Sequence, residues 1–154
     1  MTNRKIADIV KDKKFLVLPE HQTVQEGCRC MWEWRIGAVL VLDNQQGLAG
    51  IFTGRDAVRT LAEGRKAEET TLSQAMTADP VTISPENHAI DALHEMSNHG
   101  FRHLPVVASG KICGLVARSD FPRDGGRPTG RRNSSVGMPP LSSAWLAGHY
   151  WMSQ

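Results

Sequence analysis

The residues with the clearest chemical potential close a glycine-punctuated run, Gly50-Ile51-Phe52-Thr53-Gly54-Arg55-Asp56. A hydroxyl followed three positions later by a carboxylate has the spacing of a helix N-terminal capping box, and capping is the plain reading of Thr53 and Asp56. At a strand-to-helix junction the same pair can also bind. A carboxylate placed there accepts both vicinal hydroxyls of a ribose, as acidic residues do in other nucleotide folds, and the helix N-terminus offers N–H groups to an anion. Further on, Gly114-Leu115-Val116-Ala117-Arg118-Ser119-Asp120 repeats the pattern with Ala117 where the threonine stood. Ser119 and Asp120 remain, so this second copy is expected to be the weaker. Arg102 and His103 precede a β-branched run. An arginine suits bidentate phosphate binding and a histidine adds a pH-dependent charge; the plain alternative is a solvated strand rim. A nucleotide's base needs a flat apolar slot, for which Leu18, Ile36, Ile83 and Phe101 are candidate walls, each also a candidate for ordinary core.

Other chemistry finds less support. His88, His94, His99 and His103 cluster beside Asp91 and Glu95. A zinc hydrolase wants two histidines four apart around a glutamate, whereas His94-Glu95 is followed by His99 at the fifth position. No metal site is expected. Cys28, Cys30 and Cys113 contain no CxxC, which fits reduced thiols rather than a disulfide framework. The glycines match neither dinucleotide nor phosphate-loop patterns, and no nucleophile–base spacing occurs, so an enzyme is not expected.

The chain has 154 residues, 40% of them hydrophobic and 22% charged, the balance of a globular domain. Its longest apolar run, Ile36 to Leu42, falls well short of the roughly 20 residues of a membrane span, and acidic residues interrupt the basic start before any signal-like stretch; a cytoplasmic location is expected. The formal charge is +2. Residues 122–154 carry four arginines and one acid, leaving 14 basic and 15 acidic residues in 1–121. That near-neutral body offers no broad field for nucleic acid.

These residues are positioned by an internal repeat. Val17-Leu18-Pro19-Glu20 answers Ile83-Ser84-Pro85-Glu86, and Gly37–Leu42 answers Arg102–Val107. Each unit reads as a strand, a helix (about 23–34 and 88–99) and two strands (38–42 and 49–53; 104–107 and 112–117). A second helix is expected over 54–62 in unit one, ended by Gly64. Unit two lacks it: Pro122, Gly125 and Gly126 break the pattern. Residues 122–140 read as disordered, and the apolar stretch 141–151 either docks on the body or buries nothing. An abrupt loss of pattern after Phe121 is also what a shifted reading frame produces, a point that translation in the other two frames would decide. The expected organisation is unit one over 1–64, a linker over 65–75, unit two over 76–121 and an atypical tail over 122–154.

In this order, Gly50–Asp56, Met76-Thr77 with Pro80-Val81-Thr82, and Gly100-Phe-Arg-His-Leu-Pro-Val-Val107 resemble tandem CBS (cystathionine-β-synthase) domains over about residues 4–121. The resemblance implies an α/β (α+β) fold of two β-α-β-β-α units packed with pseudo-twofold symmetry, the last helix missing or altered in unit two. It implies a regulatory module without chemistry or cofactor, binding AMP, ADP, ATP, NAD or S-adenosylmethionine between the units and commonly dimerising. The implied nucleotide-binding residues are Thr53, Arg55 and Asp56 as the ribose element, Ser119 and Asp120 in the second copy, and Arg102 and His103 toward phosphates, with Gly37 and Ala38 in their place in unit one. A homodimer and an unidentified downstream protein are the expected partners, with no membrane and no nucleic acid. The alternative is a protein-interaction module without a working ligand site, using Trp32, Trp34 or the tail.

Overall fold

A computed structural model describes residues 3–121 and 150–151. The order is α1 (Ile6–Val10), β1 (Leu16–Pro19), α2 (Val24–Trp34), β2 (Ala38–Leu42), β3 (Leu48–Thr53), α3 (Gly54–Ala62), α4 (Leu72–Ala75), β4 (Thr77–Ala78), α5 (Ala89–His99), β5 (His103–Ala108), β6 (Lys111–Ala117), a 3-10 turn (Arg118–Asp120) and β7 (Tyr150–Trp151). The repeat is visible in the pairing. β1 runs parallel to β2 with Val17 opposite Leu40, and Ile83 bridges Val106 in parallel, each partner 66 positions on. β2 and β3 pair antiparallel with Ala38 opposite Thr53, as β5 and β6 do with His103 opposite Ala117. Even the ladder irregularities match, at Val41/Leu42 and Val106/Val107. The two units are thus related by pseudo-twofold symmetry.

Strand alternation divides the side chains between two cores. Leu16 and Leu18 point with Val39, Val41 and Phe52 into the core of unit one, while Val17, Leu40 and Ile51 pack between the sheets against Leu115. Each fully buried side chain of this size contributes roughly 1.5–3 kcal/mol. Helix α2 buries Val24, Gly27, Cys30 and Met31, one stripe at helical spacing, and Thr23 caps it by accepting from Glu26 N at 3.2 Å. It ends on Arg35 in the left-handed region (φ 52°), where α5 ends on Gly100 (φ 69°).

The short helices are exchanged between the units. Helix α1 lies on unit two: Ile6 and Val10 sit in its core, Ile6 N donates to Asn87 O at 2.8 Å and Ala89 N to Arg4 O at 2.8 Å. Helix α4, inside the stretch expected as linker, does the same for unit one. Leu72 is fully buried there, and Leu72 N donates to Gln22 O at 2.7 Å.

After β6 the second unit departs from the first. Where α3 runs from Gly54 to Ala62, Arg118–Asp120 form one 3-10 turn, and Phe121 returns to extended backbone (φ −103°, ψ 125°). The disorder expected over 122–140 lies outside the described residues. Of 141–151, only Tyr150–Trp151 are described, as a strand antiparallel to β1 opposite Val17 and Leu16. No helix among the described residues is long and apolar enough to cross a membrane.

Candidate functional site

The junction of β3 and α3 opens onto a cleft of about 940 Å³ between the units. Thr53 is the residue that ends the strand and caps the helix, and the capping box is complete. Thr53 N donates to Asp56 Oδ2 at 3.0 Å, and Thr53 Oγ1 accepts from Asp56 N at 3.4 Å. The Thr53 hydroxyl also lies 3.1 Å from Asp56 Oδ2. Asp56 is 5% exposed, and the second oxygen of its carboxylate faces Thr77 Oγ1 at 3.3 Å and Arg59 Nη2 at 3.3 Å. Arg59 is anchored by its own bond to Ala75 O at 2.7 Å. The plain capping reading and the cleft-wall reading therefore hold together: one carboxylate fixes the helix start and borders open space.

The opposite wall comes from unit two. Phe101 stacks on His99, with ring centroids 5.4 Å apart and planes 15° apart, and both line the cleft with Pro80 and Val81. Arg102 and His103 complete that wall, while Arg55 and Arg59 line the side of α3. Among the described residues neither Arg55 nor Arg102 makes a side-chain hydrogen bond or ion pair. Gly37 lets the units meet: a Cβ there would lie 3.1 Å from His103 Nε2. Burial, then the charges of Lys13 and Arg102, hold the His103 imidazole below its ordinary pKa of 6.5 against the opposing pull of Asp120.

The cleft thus gathers seven of the expected site residues: Gly37, Thr53, Arg55, Asp56, Phe101, Arg102 and His103. Others lie elsewhere. Leu18 is fully buried and Ile83 6% exposed, each in its unit's own core, because their strand positions face inward. Ala38 is buried between the sheets, and Ile36 packs beside the core of unit one. Asp120 and Ser119 stand at the end of β6, the equivalent junction. There Asp120 Oδ2 accepts from Ala117 N at 2.7 Å and is ion-paired to Lys13 Nζ. Sequence reasoning missed Thr77, Pro80, Val81 and His99 as cleft residues. The motif around Met76–Thr82 was the available signal for the first three, since a segment entering a strand beside the junction must border the cleft.

No group of three or more potential metal ligands occurs among the described residues. All three cysteines are free, and burial pushes the Cys30 thiol up to about 12, leaving it protonated and unreactive.

Comparison with known proteins follows the same geometry. The family model described as "CBS domain" matches residues 6–63 and 72–122. The CBS domain-containing protein CBSCBSPB3 of Arabidopsis thaliana is 39% identical over 104 residues, 67% of this chain but 19% of that protein's length. The chain therefore spans about a fifth of this plant relative. Among solved structures, the CBS-domain containing protein ATU1752 from Agrobacterium tumefaciens superposes with a TM-score of 0.71 at 26% identity, covering 78% of this chain and 91% of that one. The protein PAE2072 from Pyrobaculum aerophilum, complexed with AMP, shares the fold with a TM-score of 0.71 at 20% identity, covering 76% of this chain and 89% of that one.

Proposed function

Because this chain belongs to the CBS-domain family, whose modules regulate rather than catalyse, we propose that its cleft holds an adenine nucleotide of the AMP, ADP, ATP or NAD kind and passes occupancy on through conformation or dimer geometry. The observation that carries this reading is the pairing of opposite chemistries across one cleft. A buried carboxylate flanked by the Thr53 and Thr77 hydroxyls faces the Arg55 and Arg102 guanidinium groups, which have no polar partner among the described residues. Ribose hydroxyls would take the places of the two 3.3 Å contacts on Asp56 Oδ1, leaving the shorter cap bonds intact. The stacked His99 and Phe101 with Val81 supply the apolar slot for a base. Arg55 and Arg102 suit phosphate oxygens, which favours phosphorylated adenosines over S-adenosylmethionine, whose sulfonium they would repel. The PAE2072 protein, with the same fold, holds AMP.

Ligand would brace the units against each other, and only a difference in affinity between two arrangements can move the equilibrium. A second copy is the proposed surface for that readout. Trp32 on α2 is 85% exposed, and Val58 and Leu61 on α3 are 67% and 66% exposed, large apolar groups suited to an interface. The alternative, an interaction module without a ligand site, is favoured by one observation: the Asp56 carboxylate already receives protein donors on both oxygens.

A thermal-shift panel with AMP, ADP, ATP, NAD and S-adenosylmethionine decides between them, run on the wild type and Asp56→Asn with sedimentation velocity on the same samples. Ligand at about 100 times its dissociation constant adds about 2.7 kcal/mol of stability, a rise of several degrees for a domain this size. The expected result is a shift with phosphorylated adenosines that the variant loses. No shift with any nucleotide, from folded protein, would establish the alternative.

A further inference from the structure

We infer that Lys13 is a built-in occupant of the second ribose position, so that the module takes one nucleotide per chain and the equivalent cleft is closed from within. The inference rests on the nucleotide reading of Asp56 and extends it to the other half of the molecule. Asp120 is the counterpart of Asp56 in place and in local bonding. Each sits three residues past the strand end and accepts that residue's backbone N–H, at 3.0 Å from Thr53 and 2.7 Å from Ala117.

What meets the rest of each carboxylate differs in kind. Asp56 keeps the Thr53 hydroxyl in its cap, and its Oδ1 meets only the Thr77 hydroxyl, which can rotate away when a ribose hydroxyl arrives, and Arg59 at 3.3 Å, which is anchored on Ala75 O. Among the described residues Asp120 accepts no hydroxyl hydrogen bond, since Ala117 replaces the threonine. The Lys13 ammonium is hydrogen-bonded and ion-paired to Asp120 Oδ2 instead. Lys13 lies in the segment leading into Val17 of β1, as Thr77 lies in the segment leading into Ile83, so it reaches the carboxylate from the corresponding side.

The pair is largely sheltered, with 32% and 21% of the two side chains exposed. A neutral diol entering there would have to replace a charge-assisted bond with ordinary ones and strand the ammonium beside Arg102 and His103. At Asp56 the exchange is milder, because the displaced Arg59 contact at 3.3 Å is an ion pair alone and that guanidinium keeps its bond to Ala75 O. The 3-10 turn that ends at Asp120 also offers only a single short turn of N–H groups for an anion.

The test is calorimetric titration with AMP and ATP on the full chain, for the wild type, Lys13→Met and Lys13→Met/Ala117→Thr. The methionine keeps most of the aliphatic reach and removes the charge. One nucleotide per chain is expected for the wild type and two for the double variant. Two sites in the wild type, or one in the double variant, would overturn the inference. If the wild type binds neither probe, the nucleotide reading of Asp56 fails, and a ligand-free measurement still decides the place of Lys13. The groups facing His103 are Lys13, Arg102 and Asp120. Removing the Lys13 charge and leaving Asp120 unpaired must then raise the His103 titration midpoint followed by NMR. An unchanged midpoint means that Lys13 does not sit on Asp120 in solution, and the inference falls.

Discussion

Asp56 and Asp120 close equivalent strands of two units built on one plan, and they end in different company. The first borders a cleft of about 940 Å³ among hydroxyls and an anchored arginine; the second is held by the Lys13 ammonium under a single turn of 3-10 helix. The strand plan is shared down to the ladder irregularities, so the difference comes from a few side chains and from the turn that replaces α3. A duplicated scaffold can therefore border an open cleft in one half and hold an ion pair in the other on the same strand plan.

The comparison breaks most visibly at a pair of glycines. Gly50 in β3 and Gly114 in β6 are equivalent, and each is covered by an element from the exchanged segments. A Cβ on Gly50 would lie 2.7 Å from the Thr77 carbonyl oxygen, which is backbone paired to the same strand. A Cβ on Gly114 would lie 2.9 Å from Val10 Cβ, on a five-residue helix that can shift outward. Gly50→Ala is expected to cost about 3 kcal/mol and Gly114→Ala about 1 kcal/mol, measured by urea unfolding. Equal costs would mean that α1 is held as rigidly as β4.

A smaller difference appears on acidification. His103 has no imidazole counterpart, since Ala38 occupies its place in unit one. Its pKa is lowered in the fold, by burial first and then by Lys13 and Arg102, so protonation opposes folding. The stability it contributes is full above its ordinary value of 6.5 and is lost as pH falls through the lower folded value. Between about pH 7.5 and pH 5, the wild type is expected to lose more of its melting temperature than His103→Gln. Parallel losses in the two proteins would place the imidazole in open solvent.

The smallest effect sharpens the symmetry. Helix α2 ends on Arg35 at φ 52° where α5 ends on Gly100 at φ 69°. Arg35→Gly relieves the left-handed strain and gives back part of the gain as unfolded-chain entropy. A net stabilisation of about 0.5 kcal/mol is expected from denaturant midpoints, whereas Gly100→Arg should destabilise.

Much of the architecture was legible because it is local. The apolar spacing of α2 and α5, the β-branched runs of β2, β3, β5 and β6, and the capping pair Thr53 and Asp56 each declare themselves within a dozen residues. Their observed ends differ from the expected ones by one residue at most. Leu18 and Ile83 show the limit of that reading. They stand at strand positions expected to wall the cleft, but a strand alternates faces, and a choice of face one residue out exchanges core for surface. Thr77, Pro80 and Val81 reach the cleft only because β4 pairs with β3. Lys13 reaches Asp120 across 107 positions of chain, through packing that no local pattern encodes.

The exchange of α1 and α4 also sets an order in time. Synthesis runs from the N-terminal side, so Ile6 and Val10 emerge about a hundred residues before the strand that carries Gly114 and Val116, among the last described segments to be made. Unit one can close on α4 while unit two is still being made. Helix α1 has to wait, with its apolar face uncovered, until nearly the whole body exists. Contacts this distant close slowly, and they fall at the end of folding rather than at its start. The same seam makes a cut at the linker unproductive: it would leave each half missing a helix that the other half carries.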